Sequence, residues 1–313
     1  VALAFAFSQR PETFMGYQAQ RTAQSSSCIT EFMKRTEELQ ADDTPAESVV
    51  LHAELSYGYG LWSASFRISG PSGTPYVLKS LSEFADRMRS GARHAYGKKL
   101  AFTHAPALFE QRSRGIAQFI ERACSMREAA DDAPSWLRRQ SASVGRTLQL
   151  SEAEAVELFG LLDGGEFSIT GADYATPTVQ RVHIEHSDPD ISLSMAPDKA
   201  GGWAIERGEH IRMAEQAGRL YIWCSGDTVH RCSPAFARCS DFLRTVYDSD
   251  ERNLFVANDD MPLFCAAALP VIEENLHLSA PAELSVWRPV ECTLAFFLDK
   301  NGKNVIIGAQ AAY

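Results

Sequence analysis

The sequence has no long apolar run. Its longest, 262–272 with prolines allowed and Met261 just before it, is far short of the roughly 20 residues that cross a bilayer as a helix. No membrane span and no membrane partner are therefore expected. A cysteine framework is also missing. The seven cysteines, at 28, 124, 224, 232, 239, 265 and 292, are odd in number and widely spaced, and most sit in apolar runs. That pattern argues against a secreted disulfide scaffold and for buried free thiols in a reducing cytoplasm. Nor is positive charge in surplus. Thirty basic residues against 40 acidic ones leave a net charge of −10, which is not how a general polyanion binder is built. With 45% apolar and 22% charged residues the chain has globular composition, which excludes collagen, coiled coil and long disorder. No fixed-period repeat is present.

Catalytic motifs are missing too. A phosphate loop needs Gly, four residues, then Gly-Lys-Ser/Thr. The nearest approach runs from Gly91 to Gly97-Lys98-Lys99; it is one residue too long and puts Lys99 where the magnesium-binding hydroxyl belongs. There is no Gly-x-Ser-x-Gly elbow. His183-Ile184-Glu185-His186 has its histidines three apart in a strand-like segment, which sends them to opposite faces. Cys224, His230, Cys232 and Cys239 could be drawn as a zinc site, but the cysteine gaps are eight and seven, against two to four in structural zinc. Asp259-Asp260 reads as a helix N-cap, and Asp188 and Asp190 flank a proline turn. No catalytic residue, metal site or cofactor is assigned within this chain.

What is present is a succession of short periodic segments. The start, Val1-Ala2-Leu3-Ala4, reads as the end of a helix cut from something upstream, and 309–313 continue an extended segment without a stop signal. The chain is therefore expected to be a piece of a longer polypeptide. Residues 1–48 form an N-terminal helical segment with a helix over 28–40. From Val49 the apolar period changes to two: Leu51, Ala53 and Leu55, a turn at 57–60, then Trp62, Ala64, Phe66 and Ile68, which predicts a half-buried hairpin. A third strand follows at 76–78. Ser80-x-x-Glu83 opens a helix carrying Leu81, Phe84 and Met88. A second helix is expected over 106–128, with Phe109, Ile116, Phe119, Ile120 and Ala123 inward, followed by a polar connection over 129–150.

Ser151-x-x-Glu154 opens a third helix, stopped by Gly164-Gly165. An antiparallel meander is expected over 166–232, with strands at 178–184, 191–195, 202–207 and 220–224. A helix then starts at Ser233-Pro234, and a last helical region over 260–274 is broken near Pro270. A hairpin pairing Leu294, Phe296 and Leu298 with Val305 and Ile307 across Asn301-Gly302 closes the chain. The fold class is α+β: mainly antiparallel sheets and meanders with packed helices, in one elongated unit of two lobes, about 49–165 and 166–313.

Charge is unevenly placed. Residues 79–146 hold 13 basic and 7 acidic groups, a local balance of +6 in an acidic chain. Lys98, Lys99, Arg112, Arg114, Arg138 and Arg139 are the candidate nucleic-acid-binding residues. With no groove-reading motif, they would contact phosphates weakly and without sequence preference.

Several phrases, in order, resemble the helicase-associated domain of bacterial SWI/SNF-type ATPases. They are Tyr76-Val77-Leu78-Lys79 before Leu81-x-x-Phe84, then Tyr96-Gly97-Lys98-Lys99-Leu100. Leu220-Tyr221-Ile222-Trp223-Cys224 and Val229-His230-Arg231-Cys232-Ser233 come later, and Phe296-Phe297-Leu298-Asp299 last. The similarity spans about 49–313. It implies a cytoplasmic, non-catalytic accessory module of an ATP-dependent DNA translocase, contacting DNA, the motor lobes of the same polypeptide or a partner protein. ATP and magnesium would belong to the motor lobes that follow the domain in the family. The chain lacks the Cys-x-Cys and Cys-x-His pairs of the zinc segment that some members carry upstream. The alternatives are a stand-alone metal- or carboxylate-dependent hydrolase and a protein-interaction scaffold unrelated to nucleic acid.

Overall fold

A computed structural model describes Ile29 and residues 45–312, apart from 59, 98, 132–143, 172–177, 200, 209, 249–253, 291–292 and 302–303. Apart from Ile29, the helix expected over 28–40 lies outside them. The period-two segments form β1 (Val50–Gly58) and β2 (Leu61–Ser69), paired antiparallel from Val50↔Ser69 to Gly58↔Leu61. Their alternating Leu51, Ala53, Leu55, Trp62, Ala64, Phe66 and Ile68 are all buried. β3 (Tyr76–Val77) continues along β2. The Ser80 hydroxyl accepts from the Glu83 amide (3.2 Å) to start α1 (Leu81–Ser90), and Gly91 ends it in the left-handed conformation.

A hairpin of β4 (Arg93–Gly97) and β5 (Leu100–Thr103) carries a bulge at Gly97, whose φ is +149°. A Cβ there would stand 2.5 Å from the Tyr76 ring, so the bulge and the close packing both require glycine. The helix expected from 106 begins later. Pro106–Leu108 make a 3-10 turn, Phe109 is extended and bridges Val49, and α2 (Gln111–Asp131) follows. Burying Phe109 against the sheet outweighs continuing the helix through it.

The expected polar connection contains β6 (Thr147–Leu150), which pairs with β2 through Trp62↔Leu150 to Ser65↔Thr147. Leu148 and Leu150 alternate with exposed partners, and that four-residue signal is easily lost in a polar stretch. Ser151 and Glu154 then close both halves of a capping box at the start of α3 (Glu152–Leu162).

The next strands are β7 (Glu166–Gly171), β8 (Thr178–Glu185), β9 (Ser192–Asp198), β10 (Gly202–Arg207), β11 (Arg212–Gln216), β12 (Arg219–Trp223) and β13 (Thr228–Arg231). They do not stay in one meander. β7, β8, β13, β12 and β11 extend the first sheet, in the order β11-β12-β13-β8-β7-β1-β2-β3, with β6 also on β2. Two of its contacts, β1 with β7 and β13 with β8, are parallel. β9 and β10 enter a second sheet, β14-β10-β9-β15, with β14 (Leu254–Ala257) and β15 (His277–Ser279) at its edges. Most pairings remain antiparallel and the fold is α+β.

A 3-10 turn, Phe236–Cys239, leads into α4 (Ser240–Asp248). The helical run 261–275, α5, passes Pro270 unbroken. Phe264–Ala268 form a π turn in which the Leu269 amide bonds the Phe264 carbonyl. The widened turn accommodates a residue that has no N–H to give. Last come β16 (Thr293–Asn301) and β17 (Asn304–Ala312), which among the described residues pair only with each other. Among the described residues no helix is long and apolar enough to cross a membrane.

The large sheet curls around α3. Phe159 in the middle of that helix meets Trp62 of β2 (ring centroids 5.2 Å), Phe167 of β7 (6.1 Å) and Tyr221 of β12 (5.2 Å, stacked). β12 is buried on both faces: Tyr221 and Trp223 belong to the core around α3, and Leu220 and Ile222 to the core built by α4 and α5. That two-sided burial accounts for the uninterrupted apolar run at 220–224.

Candidate nucleic-acid interface

Five arginines of 79–146 are held in ion pairs inside the fold. Arg87 pairs with Glu83 one turn back (2.6 Å). Arg89 holds Asp86 (2.5 Å) and reaches Glu128 (3.0 Å), joining α1 to α2. Arg122 pairs with Glu157, and Arg127 grips Glu154 with two bonds of 2.7 and 3.0 Å, joining α2 to α3. Arg114 reaches Glu47 (3.5 Å) and donates to the carbonyls of Pro106 (3.0 Å) and Phe109 (3.4 Å). Three of these acids, Glu47, Glu154 and Glu157, lie outside 79–146 in sequence. A charge count along the chain could not assign them.

Of the six candidate residues, Lys98, Arg138 and Arg139 lie outside the described residues. Lys99 is exposed in the turn between β4 and β5. Arg112 and Arg114 sit on the first turn of α2, where two positions are roughly 200° apart around the helix. Arg114 faces Glu47, whereas Arg112 lies over the Gly164–Gly165 turn so closely that a Cβ at Gly165 would overlap its guanidinium. Those two arginines therefore address different neighbours.

The structure brings together a pair that the sequence did not single out. β3 and β6 lie end to end along β2, and the Leu81 amide bonds the Gly145 carbonyl (3.0 Å). The Ser82 hydroxyl bonds the Val144 carbonyl (3.2 Å) beside it. Lys79 and Arg146 flank this junction; both are exposed, and neither holds an ion pair among the described residues. The alternation of Leu148 and Leu150 was the signal that could have placed Arg146 at a sheet edge.

A second polar cluster joins α3, the end of β8 and β13. Asp163 Oδ2 lies 2.7 Å from His186 Nε2 and accepts from Arg231 (3.4 Å). Ser187 Oγ is 3.0 Å from His230 Nδ1. Burial, partly opposed by Glu185 and Asp188, holds the His230 pKa below its ordinary value. No carboxylate bonds its other nitrogen among the described residues, so the Ser–His contact lacks the orienting acid of a nucleophilic triad.

Asp188 accepts the Ser233 amide (2.7 Å) and hydroxyl (2.8 Å), and Ser233 Oγ accepts the Phe236 amide (3.1 Å). This arrangement locks the turn after β8 to the start of the next helical segment. Cys232 and Cys239 are pushed up by burial. Among the described residues no three His, Cys, Asp or Glu stand together as a metal site.

A small cleft of about 80 Å³ opens where the two ends of the curled sheet meet. Tyr57, Leu61 and Trp62 line one side and Ile211 and Met213 the other. Arg244 borders it and holds both Glu152 and Glu215 (3.7 Å to the latter).

No curated protein and no solved structure matches the chain. A family model described as bacterial SNF2 helicase associated matches residues 146–313, from the residue before β6 to the last residue of the chain.

Proposed function

Because the chain belongs to the bacterial SNF2 helicase-associated family, we propose that it is a non-catalytic accessory module of a cytoplasmic, ATP-dependent DNA translocase. Its contacts are with the motor lobes of the parent protein and, more weakly, with DNA phosphates. The family match carries this reading; it takes in the second half of the curled sheet, the small sheet and the final ribbon. The absence of a phosphate-loop motif from the sequence supports assigning ATP hydrolysis to other parts of the parent. Without such a loop and magnesium-binding groups, charge on a transferred phosphoryl group is not neutralised.

The internal ion pairing of Arg87, Arg89, Arg114, Arg122 and Arg127 favours protein contact over a broad DNA-binding face. Lys79 and Arg146 at the β3–β6 junction and Lys99 in the β4–β5 turn are the cations assigned to phosphate contact, together with Lys98, which lies outside the described residues. Comparing the parent protein with a form lacking this module tests the reading. DNA-stimulated ATP turnover is expected to change while the isolated module hydrolyses no ATP. Steady hydrolysis by the module, lost on a point substitution within it, overturns the reading. So does unchanged turnover and translocation by the parent without the module.

A further inference from the structure

The chain passes from the large sheet to the small one twice, and both passages start beside the end of α3. The first, 186–191, leads from β8 to β9. The second starts at Cys232, where β13 ends and the chain turns toward α4 and β14. The two leave side by side, because β8 and β13 are parallel neighbours whose last pair is Glu185↔His230. Every polar side chain of 186–190 is engaged, and buried Pro189 divides them. His186, Ser187 and Asp188 reach back to Asp163, His230 and Ser233, whereas Asp190 reaches forward to His277 of β15 (3.5 Å).

These bonds lie on both faces of the sheet. Arg231 stands opposite Tyr221 of β12, on the α3 side. There Asp163 holds one residue from each passage, His186 at 2.7 Å and Arg231 at 3.4 Å. His230 stands opposite Ile222, on the side covered by α4 and α5. There its Nδ1 meets Ser187 Oγ at 3.0 Å. A joint between two sheets is thus closed by two histidines, one on each face.

The two imidazoles differ in what a proton does to them. The His186 side chain is 59% exposed, and an exposed pair with a carboxylate contributes little. His230 is half-buried. Burial disfavours its charged form more than Glu185, opposite it on β8, and Asp188 favour it. His183 lies two residues back on β8, Arg231 points to the other face, and the turn before α4 and α4 itself bring Phe236, Cys239 and Leu243 to this side. A folded value below the unfolded one, about 6.5 for a histidine, gives stability that is whole above the unfolded value. That stability is lost as pH falls toward the folded value.

We propose that the paired passages form a proton-sensitive joint between the two sheets, closed at neutral pH and loosened in acid when His230 gains a proton.

Maleimide labelling of this chain, with each cysteine resolved by mass spectrometry, tests it. Cys232 lies in the joint between Arg231 and Ser233, its amide bonded to the Leu220 carbonyl (2.9 Å). Dividing its rate by that of Cys124, buried on α2, removes the pH dependence of thiolate formation. The ratio should rise about threefold or more from pH 7.5 to 5.5. His230→Gln keeps a partner for Ser187 but cannot be charged, and should flatten the rise. Glu185→Gln, at an exposed position, removes a carboxylate that favours the charged ring and should steepen it. His186→Gln should leave it unchanged. A wild-type ratio that stays level overturns the proposal. So does a rise that survives His230→Gln, or one that His186→Gln removes, which would put the sensor on Asp163 instead. If His230→Gln does not fold, Glu185→Gln decides, and a rise that it leaves unaltered overturns the proposal.

Discussion

Trp62 donates its indole N–H to the Met213 carbonyl at 2.8 Å, across 151 residues of sequence. Trp62 lies on β2 and Met213 on β11, near opposite ends of the large sheet. The bond therefore measures how far the sheet has curled around α3. It also ties 49–131, outside the family match, to a strand inside it. Trp62→Phe keeps most of the apolar contact with Phe159 and removes the donor, which should cost about 1 kcal/mol. Phe159→Ala removes the ring that three strands share and should cost about 3–5 kcal/mol. Urea unfolding checks both. Equal losses for the two variants would contradict the ranking.

Glu154 supplies a pH dependence. Burial pushes its carboxyl up, but the Arg127 hydrogen bonds and the Ser151 amide outweigh that and hold it below its ordinary range. A depressed folded-state pKa stabilises above the unfolded value, about 4.3 for a glutamate. That stabilisation is lost as pH falls through the folded value. Glu154→Gln should cost about 1–2 kcal/mol at pH 7, and the gap should close below about pH 4. A gap that persists unchanged in acid would place the effect elsewhere.

Ala217 is strained in a way that can be relieved. β11 and β12 close at Gln216↔Arg219, leaving Ala217 (φ +51°) and Gly218 (φ +74°) as a two-residue turn. Both φ values are positive, as in the turn that favours Asn-Gly. Ala217→Asn should stabilise by about 0.5–1 kcal/mol with no change elsewhere. A lowered denaturation midpoint would reject this account.

The buried thiols should be inert while the chain is folded. Burial pushes Cys124 up to about 11 and raises Cys232, Cys239 and Cys265 as well. The thiolate is the reactive form. A disulfide reagent at pH 7.5 should therefore label these four only after denaturant is added. Fast labelling of Cys124 or Cys232 in the native chain would show that their cover opens.

Reversing both Lys79 and Arg146 to Glu should lower affinity for unrelated duplexes by similar factors. It should also flatten the slope of log K against log salt by about 2, because two fewer phosphates are neutralised and their counterions stay on the DNA. Reversing Arg114 should instead cost stability, because its guanidinium holds Glu47 and two carbonyls. If the wild-type chain binds no duplex at low salt, or the double reversal leaves binding unchanged, phosphate contact drops out and protein contact remains.

The amino-acid sequence by itself determined the local elements whose signals lie within a few residues. The alternation of Leu51 to Leu55 and Trp62 to Ile68 dictated the first hairpin. Ser151 with Glu154 dictated the start of α3, and the Asn301-Gly302 signal marked a final hairpin, although its closing pair is Asn301↔Asn304. Those signals are backbone and side-chain preferences acting over one turn or one strand. Tertiary structure decided what no local window holds. The strand at 147–150 exists because β2 offers it an open edge. The run 166–231 divides between two sheets because α4 and α5 need apolar surface on both sides. Three of the arginines behind the positive balance of 79–146 are met by Glu47, Glu154 and Glu157, which only folding brings within reach. Lys79 and Arg146 flank one junction for the same reason, since two short strands share one neighbour. Sequence periodicity shows which face of an element is apolar; which element covers it depends on contacts between residues far apart in the chain.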